Sequence, residues 1–273
     1  MQKPEKVPAE KKQKISFAKA SGWGILGLGA AALVASIIYV SQILAFIGLG
    51  LIFWGIILTY IQTEEYVKEN LLDKTVLPSL ATLNQMIQEL DYKGKAIYLP
   101  PKYLKDPEAN KAYICKQKEG KMPTPEQIQE QETKLFIENP QGILLTPPGA
   151  ELAKLFEKTL ETSFTRIDMQ YLQQNMPKLF IEDLEIAQNF EMETEDNKVH
   201  VKIENSAYKN LTKEATNLSN LLGSLGCPLS SAVACALAKA TGKPIIIENQ
   251  KTSEDGRKTE IEYRIIEEEQ TEQ

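Results

Sequence analysis

The chain has 273 residues, with 31 lysines and arginines against 37 aspartates and glutamates, one histidine and three cysteines, for a formal net charge of -6. An acidic balance with no basic, aromatic-laced patch argues against nucleic acid as a partner. Three scattered cysteines make no disulfide framework and suit a reducing compartment.

Residues 1–22 read as a basic tail carrying Lys3, Lys6, Lys11, Lys12, Lys14 and Lys19. At its end Gly22, Gly24 and Gly27 spell G-x-G-x-x-G, the pattern of a dinucleotide-binding turn. That turn needs a buried strand before it and an acidic residue about 20 positions later. Here "EKKQKISFAKAS" precedes it, and Trp23 to Ile61 contain no charged side chain, so the match is a coincidence of composition.

Residues 23–61 are two apolar segments, "WGILGLGAAALVASIIYV" and "ILAFIGLGLIFWGIILTYI", separated by Ser41 and Gln42. A helix needs about 20 residues to cross the hydrocarbon core, so the run predicts two transmembrane helices with a tight turn at Tyr39 to Gln42. Trp23, Tyr39 and Tyr60 fall near the predicted ends, where amphipathic rings prefer to sit. Gly27, Ala31 and Ala35 make a small-residue stripe at helical spacing, and Ala45, Gly48, Gly55 and Thr59 a second one. Small stripes let helices approach closely in lipid, so the two are expected to face each other. A second full apolar segment after "AALVAS" marks an uncleaved anchor rather than a signal peptide. With the lysines ahead of the first span, the positive-inside rule places the N-terminus and the large C-terminal part in the cytoplasm. Asn210 and Asn217 head glycosylation-type tripeptides, which matter only on the opposite side.

Residues 62–92 predict a stalk helix, with Val67, Leu71, Leu77, Leu80, Leu83, Ile87 and Leu90 on one face and a kink near Pro78. It is expected to pack on its own domain or to pair with a second copy. Residues 93–183 form a mixed α/β region. "KAIYLP", "AYICK", "KLFIEN" and "GILLT" read as strands, "KQKEGKMPTPEQIQEQET" as an exposed loop, and "TPPGAELAKLFEKTLE" as a helix capped by Thr146. A further helix covers about Asp168 to Leu179, interrupted at Pro177.

Residues 184–266 read as a ββααββ unit. Its strands are "LEIAQNFEMETE", "KVHVKIEN", "KPIIIENQ" and "KTEIEYRII", and its helices "SAYKNLTKEATNLSNLLGSLG" and "CPLSSAVACALAKATG". Residues 267–273 are an acidic tail. The fold class is therefore α+β: a transmembrane helical hairpin, a stalk helix and a mixed α/β soluble domain ending in the ββααββ unit.

Candidate chemistry is sparse. In "VHVKI" the lone His200 alternates with Val199 and Val201, so it faces away from the apolar side. That argues against a Ser-His-Asp triad and a histidine-built metal site. Glu182, Asp183 and Glu185 read as a solvated face. Cys227 and Cys235 lie eight apart in one helix, about 12 Å along its axis and about 80° around it, so they cannot bond. Cys227 heads that helix, where the dipole favours a thiolate. A reactive thiol is the sharper reading of Cys227, and a small buried residue the plainer one. No catalytic residue, metal ligand or cofactor motif is nominated.

At "GCPLSSAVACALAKATGKPIIIE" the chain resembles the closing segment of the 4-vinyl-reductase-type domain, a small-molecule-binding module of bacteria and archaea. The shared features are the Cys-Pro-Leu helix start, the small-residue helix and the "TGKP" turn. Metal-associated members carry further cysteines after this strand, and "NQKTSEDGRKTEIEYRII" has none. The whole layout, with its "YLP" strand and "GILLTPPG" turn, resembles an uncharacterised archaeal group of two-span membrane proteins.

Two functions are expected from this, ahead of a third, an enzyme with a buried, perturbed carboxylate or thiol in a cleft. One is a membrane-anchored, non-enzymatic cytoplasmic module that binds a protein partner or a second copy of itself. The other, implied by the resemblance, is a tethered sensor or carrier of a small apolar ligand, held by Leu222, Cys227, Val233 and Leu237.

Overall fold

The uncharged run near the N-terminus coils into two helices, α1 (Phe17–Ile38) and α2 (Gln42–Tyr60). They are joined by a turn in which Val40 takes a positive φ of 48° and the Ser41 hydroxyl accepts the Leu44 N–H at 3.4 Å. The computed structural model describes residues 17–60, 69–118 and 120–267. The basic tail before Phe17, the start of the predicted stalk and the acidic tail after Glu267 lie outside the described residues. The chain divides into two units, Met1–Val67 and Lys68–Gln273.

In the first unit, Ser21–Ile38 and Gln42–Thr59 are each long and apolar enough to cross a membrane. With Trp23, Phe46, Phe53 and Trp54 all more than half exposed, the pair is apolar all round, the pattern of a membrane span rather than a surface helix. The seam between them runs through Gly22, Gly29 and Ser36 of α1, spaced by seven, and through Gly48 and Gly55 of α2. A Cβ on Gly29 would stand 2.8 Å from the Ile52 nitrogen, one on Gly48 3.0 Å from that of Leu33, and one on Gly55 2.8 Å from that of Leu26. Gly48 and Gly55 therefore lie at the close approach of the two helices. On α1 the expected stripe is displaced: Gly27 faces open space, Ala31 is exposed and Ala35 is half-buried. Gly27 and Gly29 point about 200° apart around the helix. The seven-residue spacing supplies a continuous seam, and the four-residue one does not lie on it.

In the second unit α3 (Glu69–Glu89) runs through Pro78 without a break. It buries Leu80 and Ile87 in the unit's own core and packs on the helical segments Lys209–Ala215 and Ser219–Ser224. Then come β1 (Ala96–Tyr98), a 3₁₀ turn at Pro101–Tyr103, β2 (Ala112–Cys115), α4 (Pro125–Gln131), β3 (Phe136–Ile137), β4 (Gly142–Leu145) and α5 (Ala150–Thr159). The expected exposed loop contains α4, held by a capping box in which Thr124 and Gln127 exchange side-chain and backbone bonds ahead of Pro125. At α5 the cap is Gly149, not Thr146.

A 3₁₀ turn at Phe164–Arg166 leads to α6 (Met169–Lys178), which continues past Pro177 into a π-helical turn, Leu179–Asp183. That turn sets the Phe180 ring between Phe156 and Phe190, with centroids 5.1 and 4.4 Å away. The hairpin β5 (Asn189–Glu195) and β6 (Lys198–Glu204) follows. The first expected helix of the C-terminal region is two pieces, α7 (Lys209–Ala215) and α8 (Ser219–Ser224). After them come α9 (Pro228–Thr241), β7 (Ile245–Thr252) and β8 (Lys258–Ile265).

All eight strands join one antiparallel sheet in the order β3-β4-β2-β1-β7-β8-β6-β5. The β1–β7 pairing, Ile97 with Ile246 and Tyr98 with Ile245, knits the middle region to the C-terminal one. One face of the sheet carries the helices around a single large core that includes α9 almost entirely. The other face is covered over only half its width. There Leu99, Tyr103, Leu104 and Ile128 close over Ile97, Tyr113, Ile137 and Leu144. Among the described residues, no element covers the β8-β6-β5 half of that face.

Candidate functional site

Of the residues nominated for an apolar ligand, Leu222 belongs to α8, Cys227 heads α9, and Val233 and Leu237 lie further along it. Cys227 is the N-cap of α9, and its sulfur receives the Ser230 N–H at 3.5 Å. The Cys227 N–H donates to Gln250 Oε1 at 3.3 Å, and Ser230 Oγ lies 2.7 Å from the same oxygen. Gln250 Nε2 is buried with no hydrogen-bond partner among the described residues. Tyr263 donates to the Ser230 carbonyl at 3.0 Å and Tyr98 to that of Leu225 at 2.5 Å. Burial holds both phenols well above the ordinary tyrosine range, so they act as fixed donors.

Cys227, Val233 and Leu237 expose 1% or less of their surface, to solvent or to any internal void. Leu222 is half-buried at the edge of the same core. The four side chains thus share a core without surrounding an opening. Burial pushes the Cys235 thiol well above the usual range, which keeps it protonated and inert.

A second polar element lies deeper than the sequence reading reached. Lys239 on α9 is 4% exposed, and its ammonium donates to Glu157 Oε2 of α5 at 2.8 Å. The other oxygen of Glu157 accepts the Phe164 N–H at 2.8 Å and the Ser163 hydroxyl at 3.3 Å. The pair ties α5, α9 and the 3₁₀ turn at Phe164 together. Nothing in periodicity marks it, because "ALAKAT" reads as a helix end where a lysine is ordinary.

The bare half of the sheet and the adjoining end of β7 together present alternate residues of four strands. Glu193, His200, Glu262 and Asn249 form one cross-strand row, and Glu191, Lys202, Glu260 and Lys251 the next. These residues line an open cavity of about 350 Å³. His200 stands exposed between Glu193 and Glu262. Lys198 reaches Glu262 at 2.6 Å and Glu248 at 3.6 Å, Arg264 reaches Glu248 at 2.7 Å, and Lys202 reaches Glu204 at 2.9 Å and Glu191 at 3.4 Å. The hydrogen bond from Lys198 lowers Glu262, that from Lys202 lowers Glu204, and those from Asn189 and Lys202 lower Glu191 below the usual carboxylate range. The same bonds raise Lys198 and Lys202 above the ordinary lysine value. The face is a lattice of acidic and basic side chains set against one another across the strands. Among the described residues no group of three His, Cys, Asp or Glu side chains is placed to hold a metal ion.

An apolar helical pair, long enough to cross a membrane, followed by a half-covered antiparallel sheet, defines a membrane-associated α+β protein. More particularly, the chain belongs to the family described as domain of unknown function DUF7982, whose profile matches residues 8–264 and so spans both units. No curated protein matches the chain. No solved structure matches it either.

Proposed function

We propose that the chain is a membrane-anchored interaction module, with α1 and α2 in the bilayer and the bare half of the sheet docking a protein partner on the cytoplasmic side. The observation that carries this reading is the asymmetric cover of the sheet. Half of its second face is sealed by Tyr103, Leu104 and Ile128, while the other half displays an ordered lattice of charged side chains. Such lattices favour register and partner choice more than raw affinity. The cytoplasmic placement rests on Lys3, Lys6, Lys11, Lys12, Lys14 and Lys19 ahead of the first span. The alternative, a tethered sensor or carrier of a small apolar ligand, requires Cys227, Val233 and Leu237 to part from a core in which they are almost completely buried.

A photo-crosslinking amino acid at His200, in the full chain in its native membrane, is expected to give a discrete protein adduct. The same group at Glu161, on the helical side, should not. Lys202→Glu with Lys251→Glu should abolish the His200 adduct. Absence of any adduct, together with a small apolar molecule co-purifying with the chain, would replace this reading with the ligand carrier. A maleimide that does not cross membranes should leave Glu161→Cys unlabelled in intact cells.

A further inference from the structure

A second cavity, of about 590 Å³, lies at the C-terminal end of β2. Its walls are Asp91 and Lys93 after α3, the segment leaving β2, and Pro140 and Gln141 before β4. Lys93, Lys116, Lys118 and Lys121 all line it, against the single carboxylate of Asp91, which pairs with Lys93 at 3.1 Å. No carboxylate among the described residues pairs with Lys116, Lys118 or Lys121, and Glu119 lies outside those residues. Counting Glu119 as well, the segment still carries more positive than negative charge, in a chain whose net charge is -6.

The wall is built rather than draped. The Lys116 N–H donates to the Gln141 carbonyl at 3.0 Å, the Lys93 N–H to the Lys116 carbonyl at 3.3 Å, and the Gly120 N–H to the Gln117 carbonyl at 3.3 Å. Cys115 is buried behind these lysines, with its sulfur 3.6 Å from the Gln141 carbonyl. A Cβ on Gly120 would stand 1.8 Å from that sulfur, so only glycine lets the lysine-bearing segment close down here. Like charges gathered around a concave site focus a field of one sign and concentrate counter-ions there.

We propose that this cavity binds a phosphate-bearing anion, with Lys93, Lys116, Lys118 and Lys121 as its cationic contacts. Its volume falls within the range of about 300–1,000 Å³ typical of small-molecule sites. Lysine supplies point charges without a fixed fork, which suits a phosphomonoester or polyphosphate better than a planar carboxylate. The same chemistry is offered by a soluble phosphorylated molecule and by an anionic lipid headgroup.

The test uses the full chain in phosphatidylcholine nanodiscs. In one arm inorganic tripolyphosphate is titrated in and followed by calorimetry. In the other, vesicles containing phosphatidic acid are floated with the nanodiscs. Binding is expected in at least one arm: the first would identify a soluble anion, the second a lipid headgroup. Lys116→Gln, Lys118→Gln and Lys121→Gln together should weaken it roughly tenfold, as expected for the loss of three exposed charge contacts. Lys154→Gln, Lys158→Gln and Lys178→Gln, a triple of equal charge on the helical side, should leave it nearly unchanged. Gly120→Val, which changes no charge, should weaken it by forcing the wall outward. No binding in either arm, or equal loss in the two triples, would overturn the proposal.

Discussion

Lys239 and Glu157 show how one ion pair can hold several elements. Both side chains are at least nine-tenths buried, and Glu157 also satisfies the Phe164 N–H. Removing one partner leaves the other charged and stranded, so Lys239→Met is expected to cost about 3–5 kcal/mol in the urea unfolding of the detergent-solubilised chain. Glu157→Gln, which keeps the bond to Phe164, should cost less. A similar sensitivity belongs to Gly149, whose N–H donates to Ser231 Oγ at 3.0 Å. A Cβ there would stand 2.1 Å from the Ala232 nitrogen, a backbone atom that cannot yield. Gly149→Ala should therefore lower the thermal midpoint, although alanine is the better helix former. Neither contact was readable beforehand. A lysine in the last turn of a helix and a glycine after two prolines are both ordinary in sequence, and only the crossing of α5 over α9 gives them their cost.

At the scale of elements, β5 is an edge strand whose outward residues are Glu191, Glu193 and Glu195. A second copy pairing antiparallel along this edge would bring glutamates opposite glutamates. Charged edges of this kind guard a sheet against self-association. Gln173 of α6 adds to the guard by donating to the Met192 carbonyl at 3.0 Å. Glu193→Val with Glu195→Val should remove it, and light scattering of the detergent-solubilised chain should then show concentration-dependent association. The neighbouring charge lattice makes a prediction about pH. Its carboxylates have lowered pKa values in the folded state, so the stability they lend is present near neutrality and is lost as pH falls through those lowered values. Its lysines are raised, so their share persists up to the usual lysine range and is lost above it. Hydrogen exchange of β5 and β6 should quicken at either extreme before that of α9 does. Much at this scale was legible. The alternation in "VHVKI" put His200 on the exposed side, and the apolar runs located the strands. The helix α4 was missed because its eight-residue signal, Thr124 to Gln131, sits inside a polar stretch, yet Thr124 with Gln127 and Pro125 is a full N-terminal motif.

At the scale of the whole molecule, the feature with the widest reach is α9 together with α8. Ser219–Thr241 is apolar and long enough to cross a membrane, yet 83% of it is buried inside the second unit. While the ribosome is still making β7 and β8, this segment has only part of its sheet to lie against. It leaves the exit tunnel after two helices that are themselves long and apolar enough to cross a membrane. An insertion machinery that reads only length and apolarity meets three eligible segments among the described residues. What separates the third from the others is a destination: the charged Lys239 has Glu157 waiting for it in α5, made some eighty residues earlier. By composition the stretch suits bilayer and sheet alike, and in the folded chain it lies against the sheet with its lysine paired to Glu157.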